Sequence, residues 1–304
     1  MLKRVVLILT KEYRNRPDAV SSLEYFKRIM KRKGIDSIWY PAEVFEKEFL
    51  IHSMESGEQD GIALQDILYV ADANRVLTIL QDMKCYTVAL YHEGVKGILS
   101  GTQYALEGLG EIDPDFLEKV HQRYCKVPWH ITETDRCFIR EMGPEDLEAL
   151  YELYKEPEVT RYTEALFQDR EQEKQYINDY IENIYKYYGF GTWLIHRKED
   201  GKLIGRAGFN YRPGFEEAEL GFVIGYPYWR MGYAYEVCQH LLLIGREVFE
   251  LEIVQALVDE NNKASVALLK KLGFQYREDV VIDNRKYQRY LYGSNMGQTC
   301  NPMG

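Results

Sequence analysis

The chain has no apolar run approaching the ~20 residues a membrane-spanning helix needs, so no membrane association is expected. Cysteine is scarce. The five present (Cys85, Cys125, Cys137, Cys238 and Cys300) are odd in number and scattered, and no pair has metal-ligand or redox spacing. That pattern predicts reduced thiols in a cytoplasm and no bound metal. Positive charge is also short: 38 Lys and Arg face 48 Asp and Glu, a net of −10. Nucleic-acid binding needs clustered cations on phosphates, so that class is excluded. A signal peptide is not expected either. The apolar core Val5-Val6-Leu7-Ile8-Leu9 is short, and Lys11, Glu12 and Arg14 follow at once, so a buried first strand fits better. What remains is an ordinary globular composition, 46% hydrophobic and 28% charged, over 304 residues, long enough for two domains.

Residues 1–128 alternate strand-like and helix-like segments. After Val5–Leu9, the spacing of Val20, Leu23, Phe26 and Ile29 predicts a helix over Ala19–Arg32 that stops near Gly34. Ile35–Trp39 reads as a strand, and a polar stretch through Glu55, Gly57 and Gly61 follows. Ile67–Val70 and Tyr86–Tyr91 read as further strands around a helix over Leu77–Met83. This rhythm predicts a small parallel α/β domain. Asp72, after a strand, is expected to cap the helix beginning near Ala73. Trp129 is expected to pack between domains, and 293–304, polar and aperiodic, to form a disordered tail.

The most informative stretch is Tyr228-Trp229-Arg230-Met231-Gly232-Tyr233-Ala234-Tyr235-Glu236. A strand-like run, Ala218–Ile224, precedes it, and Val237, Leu241, Ile244 and Val248 follow at helical spacing. A strand, a glycine turn and a helix opening form an anion site, because the first N–H groups of a helix lack internal partners and the helix dipole is positive there. A second motif follows one strand (Ile253–Val258) later: Asn262-Lys263-Ala264-Ser265, then Leu268-Leu269-Lys270-Lys271-Leu272-Gly273-Phe274.

Together these motifs resemble the GNAT superfamily of acetyl-CoA-dependent N-acetyltransferases, and most of all the subgroup that includes the ribosomal-protein N-terminal acetyltransferases. There the turn typically reads Trp-Gly-Lys-Gly-Tyr-Ala before Glu, and the later element Asn-x-x-Ser…Lys-x-Gly-Phe. The resemblance runs from about Cys137 to Tyr292 and implies a GNAT domain over 129–292. Its sheet would be mixed, mostly antiparallel and splayed, so the chain as a whole is α/β. Cys137–Glu141 would be the entry strand, and helices opening at Pro144 and over Glu171–Tyr188 would wall the acceptor site. The tyrosines of the second helix suit packing better than an aromatic cleft. Trp193–His196 and Leu203–Phe209 read as a hairpin across Asp200-Gly201.

The resemblance further implies that acetyl-CoA is held by Phe222, Val223 and Ile224 on the fourth strand of the family fold. Trp229, Arg230, Met231, Gly232, Tyr233 and Ala234 in the turn, with Asn262 and Ser265 beyond, would complete the set. Arg230 stands at the usual Gly position and Met231 at the usual cation. Asn262 would hydrogen-bond the pantetheine arm, with helix capping as the competing reading. Glu219 is the candidate general base, and the N–H near Val223 the oxyanion donor. The family's usual thiolate-protonating Tyr is Leu269 here, which leaves Ser265 or water. No Cys sits where an acyl-enzyme would form, so direct transfer is expected. His196 and His240 are read as structural.

The acceptor would be a protein N-terminus or a small amine. Residues 1–128 carry 17 basic and 19 acidic residues, so most of the acidic excess lies in the GNAT-like half, which fits an amine acceptor or plain solubility. A non-catalytic acyl-CoA sensor is the rival reading. Residues 1–128 faintly resemble a degenerate haloacid dehalogenase-like domain, without the Asp-x-Asp after the first strand that its chemistry needs. A non-catalytic accessory role is therefore expected there.

Overall fold

The computed structural model describes residues 1–47 and 61–293. Glu55, Gly57, Cys300 and the tail after Gly293 lie outside the described residues. The chain forms two compact units, Met1–Trp129 and His130–Gly304.

The first unit is built on an all-parallel sheet of order β2-β1-β3-β4-β5. Its strands are β1 (Arg4–Leu9), β2 (Asp36–Pro41), β3 (Ile67–Ala71), β4 (Tyr86–Leu90) and β5 (Ala105–Leu106). Continuous Val, Ile and Leu runs suit strands buried on both faces. Val5, Leu7 and Leu9 pack with helices α1 (Ala19–Arg32) and α3 (Pro114–Tyr124), while Val6 and Ile8 pack with α2 (Asn74–Asp82) on the other face.

Helix α1 has the expected span, but its buried stripe is rotated. Ala19, Phe26 and Met30 are buried, and Val20 is exposed. Asp72 does not cap α2, whose N-cap is Ala73 without a side-chain bond. The Asp72 carboxylate instead accepts from the Thr10 N–H at 2.9 Å and the Thr10 hydroxyl at 2.6 Å, and lies 3.1 Å from His92 Nε2. These bonds tie together the carboxyl ends of β1, β3 and β4. Trp129 packs back on its own unit: its indole N–H donates to the Lys119 carbonyl, and Arg123 covers its ring.

The second unit carries an eight-stranded sheet of order β12-β13-β11-β10-β9-β8-β7-β6. In chain order these are β6 (His130–Glu133), β7 (Cys137–Arg140), β8 (Thr192–Arg197), β9 (Leu203–Tyr211), β10 (Ala218–Ile224), β11 (Ile253–Val258), β12 (Gln275–Ile282) and β13 (Arg285–Gly293). Only β10 and β11 pair in parallel. Between β7 and β8 lie helices α4 (Leu147–Leu153) and α5 (Arg170–Tyr180). The latter passes through a wide π turn at Ile181–Tyr185, continues to Tyr188 and stops at left-handed Gly189. Helices α6 (Tyr233–Glu247) and α7 (Lys263–Leu272) follow β10 and β11 respectively. Val248, read from sequence as part of the α6 stripe, caps the helix and is exposed.

Register is fixed by close approach at Gly208. A Cβ there would lie 1.9 Å from the Gly191 carbonyl oxygen, so only glycine allows this spacing of β9 against the start of β8.

Candidate active site

Strands β10 and β11 pair only at Ala218↔Val254 and Glu219↔Gln255. Beyond that point β10 stays hydrogen-bonded to β9 as far as Ile224↔Gly205, and β11 to β13 as far as Val258↔Gln288. The facing edges part, leaving unpaired backbone in the middle of a sheet. Two cavities open on the parting, of about 640 Å³ and 410 Å³, and both are lined by Tyr162, Thr163, Phe222, Val223, Asn262 and Ser265.

The larger cavity runs along the turn into α6. Arg230 and Gly232 both have positive φ, +60° and +86°. The first bond of α6 is donated by Glu236 N–H to the Gly232 carbonyl, so the N–H groups before it have no partner inside the helix, and no side chain caps them. The expected residues Phe222, Val223, Ile224, Trp229, Arg230, Gly232, Tyr233, Ala234, Asn262 and Ser265 all line this cavity. Met231 does not. It is 53% exposed, and its carbonyl accepts from Arg136 Nη1. Cations reach the cavity from Lys263 and Lys271 instead. Lys271 is the lysine of the Lys-x-Gly-Phe element, a signal legible in sequence but not assigned a role there. The Ile224 carbonyl already accepts from the Trp229 indole at 2.6 Å. Asn262 caps α7, its Oδ1 accepting from Ser265 N–H at 3.2 Å, which is the competing reading of that residue.

Arg136, not singled out from sequence, anchors the turn. Its guanidinium lies over the Tyr233 ring and donates through Nε to Glu236 Oε2 at 2.6 Å. The Glu236 carboxylate also accepts from Thr134 Oγ1 and Arg136 N–H. Burial pushes this carboxyl up, but those hydrogen bonds and the Arg136 charge outweigh it and hold it below the usual carboxylate range.

Glu219 lines the smaller cavity with Glu164, Glu173, Asp259, Arg206 and Arg212. It forms an ion pair with Arg212, whose Nε lies 2.6 Å from Oε2. Its Oε1 has no partner among the described residues. Tyr176 lines the same cavity, while Tyr180 and Tyr185 are buried behind it and Tyr187 is exposed, so the tyrosines of this segment divide between the two readings. Burial pushes the Tyr176 and Tyr180 phenols above their usual range, making them neutral donors rather than bases. Leu269 is buried and also lines this cavity. The histidines stand apart: His196 stacks on Phe138, and His240 Nε2 lies 2.7 Å from Thr132 Oγ1.

A model of the acetyltransferase (GNAT) domain matches residues 136–275. The uncharacterized N-acetyltransferase YoaA of Bacillus subtilis is 33% identical over 174 residues, covering 97% of that protein and 57% of this chain. The chain belongs to the GNAT acetyltransferase family. The uncharacterized N-acetyltransferase p20 of Bacillus licheniformis is 32% identical over 155 residues, 86% of its length and 50% of this chain. A GNAT-family acetyltransferase of solved structure from Bacillus anthracis is 24% identical with a TM-score of 0.44, covering 53% of this chain and 95% of that one. GNAT acetyltransferases use acetyl-CoA as co-substrate. The match to the family model falls entirely in the second unit, where both cavities lie.

Proposed function

We propose that the second unit transfers acetyl from acetyl-CoA directly to a primary amine, either a protein N-terminus or a small amine. The observation that carries this reading is the meeting of the two cavities at Phe222, Val223 and Ser265, with an uncapped helix start on one and a carboxylate on the other. Acetyl-CoA supplies an activated thioester and a pyrophosphate. The residues present fit such a molecule: open N–H groups at the start of α6 with Lys263 and Lys271 suit the pyrophosphate, and the unpaired β10 edge suits an extended amide chain.

The amine nitrogen bonds to the thioester carbon as the carbon–sulfur bond breaks. Glu219 takes the proton lost from nitrogen, directly or through water, and Ser265 Oγ or water returns one to the leaving sulfur. Val223 N–H lies in a hydrogen-bonded pair with Arg206 of β9, so the donor to the developing oxyanion is an N–H of β10 on the gap side, at Phe222 or Ile224. Residues 1–128 act as a non-catalytic accessory domain. Thr10 stands where an Asp nucleophile would end β1, and Asp72 spends both oxygens on internal hydrogen bonds. Buried thiols at Cys85, Cys137 and Cys238 fit a reducing cytoplasm.

One observation favours a non-catalytic acyl-CoA sensor, namely the Arg212 ion pair that engages Glu219. The two readings part on a thiol-release assay with amine and peptide acceptors after calorimetric titration of acetyl-CoA. Release that is lost in Glu219→Gln supports the enzyme. Binding with no release from any acceptor supports the sensor.

A further inference from the structure

Arg206 lies in β9 directly opposite Val223 of β10, and Asn210 lies opposite Glu219. Residues facing each other across an antiparallel pair, and those two apart along a strand, share a face. Arg206 and Glu219 therefore project from one face of the sheet into the smaller cavity, which both line. The guanidinium is rooted about 5 Å across the ladder from Val223, which lines both cavities.

Two other arginines line this cavity: Arg212 is neutralised in place by its pair with Glu219, and Arg285 is exposed to solvent. Arg206 is different. Its Nε is buried with no hydrogen-bond partner. Among the described residues its side chain makes no hydrogen bond, ion pair or cation–π contact, and its neighbours are the hydroxyl-bearing rings of Tyr154, Tyr176, Tyr180 and Tyr185. An arginine stays charged at any working pH, and leaving such a charge half-buried and unmatched is costly. Its planar fork suits a carboxylate, which it can hold with two parallel bonds.

We propose, building on the acetyltransferase reading above, that Arg206 binds a carboxylate carried by the acceptor. The acetylated molecule is then a small amino-carboxylate, such as an amino acid. The cavity presents both signs to a zwitterion: Glu219 toward the amine and Arg206 toward the acid. A polyamine satisfies only the carboxylates and brings a second cation toward Arg206, so it is selected against.

The test is calorimetric titration of the full-length protein, loaded with a non-reactive CoA thioether. The ligands are a panel of L-amino acids, their matched α-carboxamides, and spermidine. The expected result is at least one carboxylate binding about tenfold or more tighter than its carboxamide. That preference should collapse in Arg206→Gln and survive in part in Arg206→Lys, with acetyl-CoA affinity unchanged. Carboxamides or spermidine binding as tightly as every carboxylate, or no carboxylate binding at all, overturns the proposal. So does an Arg206→Gln protein that melts lower yet keeps the carboxylate preference. Should that variant fail to fold, the wild-type comparison alone decides. Failure of acetyl-CoA binding or of CoA release would instead strike the underlying acetyltransferase reading, which these ligand ratios do not measure.

Discussion

Arg230 offers a substitution that should raise stability while lowering affinity. It adopts φ +60° at the position where the family pattern has glycine, and it is exposed. A side chain in the left-handed region costs roughly 1–2 kcal/mol relative to glycine. Arg230→Gly removes that strain but adds unfolded-chain entropy of about 0.4–1 kcal/mol. The net is a gain of about 0.5–1 kcal/mol, which for a unit of this size is a rise of ~1–4 °C in the melting temperature of the second unit. The same change removes a cation from the cavity that should take the pyrophosphate. An exposed charge of this kind contributes up to about 1 kcal/mol, so acetyl-CoA should bind about two- to fivefold more weakly at low salt. The difference should shrink as salt shortens the screening length. Scanning calorimetry and titration of acetyl-CoA at two ionic strengths measure both effects. Arg230→Asn, which tolerates positive φ without charge, should show the affinity loss with less change in melting. An Arg230→Gly protein that melts lower, or binds acetyl-CoA more tightly at low salt, would refute the reasoning.

Three further outcomes are expected. Glu219→Gln should lower CoA release by about 10²-fold or more with acetyl-CoA affinity unchanged, as befits loss of a general base; a loss under about threefold removes Glu219 from that role. Gly208→Ala should destabilise the second unit by about 1–3 kcal/mol, since the added carbon meets a backbone carbonyl that cannot rotate away; unchanged melting would show the β8–β9 spacing to be soft. The Glu236 carboxyl is held below its usual range in the folded state, so the unfolded chain binds its proton more readily as pH falls. Its stabilisation is complete above about pH 4.3 and is lost as pH falls through the lower folded value. Melting curves of Glu236→Gln should therefore lose part of the wild type's acid sensitivity and converge with it at low pH.

Local signals carried the fold well. The Asp200-Gly201 turn predicted the β8–β9 hairpin because it rests on residues adjacent in the chain, whereas the residues expected around the cavity followed from the family resemblance and not from any local period. The stripe of α1 was misread because Val20, Leu23, Phe26 and Ile29 satisfy helical spacing as well as the buried set does, and only the position of the sheet chooses between them. Arg136 with Glu236, Arg212 with Glu219, and Asp72 with Thr10 were out of reach for another reason. Those partners meet through strand register and tertiary closure, which no local period encodes. The left-handed turn at Arg230 was hidden because its residue type argues against that conformation.

The parting of β10 from β11 also bears on how the protein persists in a cell. An unpaired strand edge is a template on which another extended chain can add. Here two such edges face each other inside a sheet rather than at its rim. A molecule that fills the gap closes both, and by mass action it stabilises the folded form in proportion to the logarithm of its concentration. If acetyl-CoA fills the gap as proposed, the protein should be hardiest when that thioester is plentiful. In cells short of that metabolite, it should become more prone to strand addition and clearance.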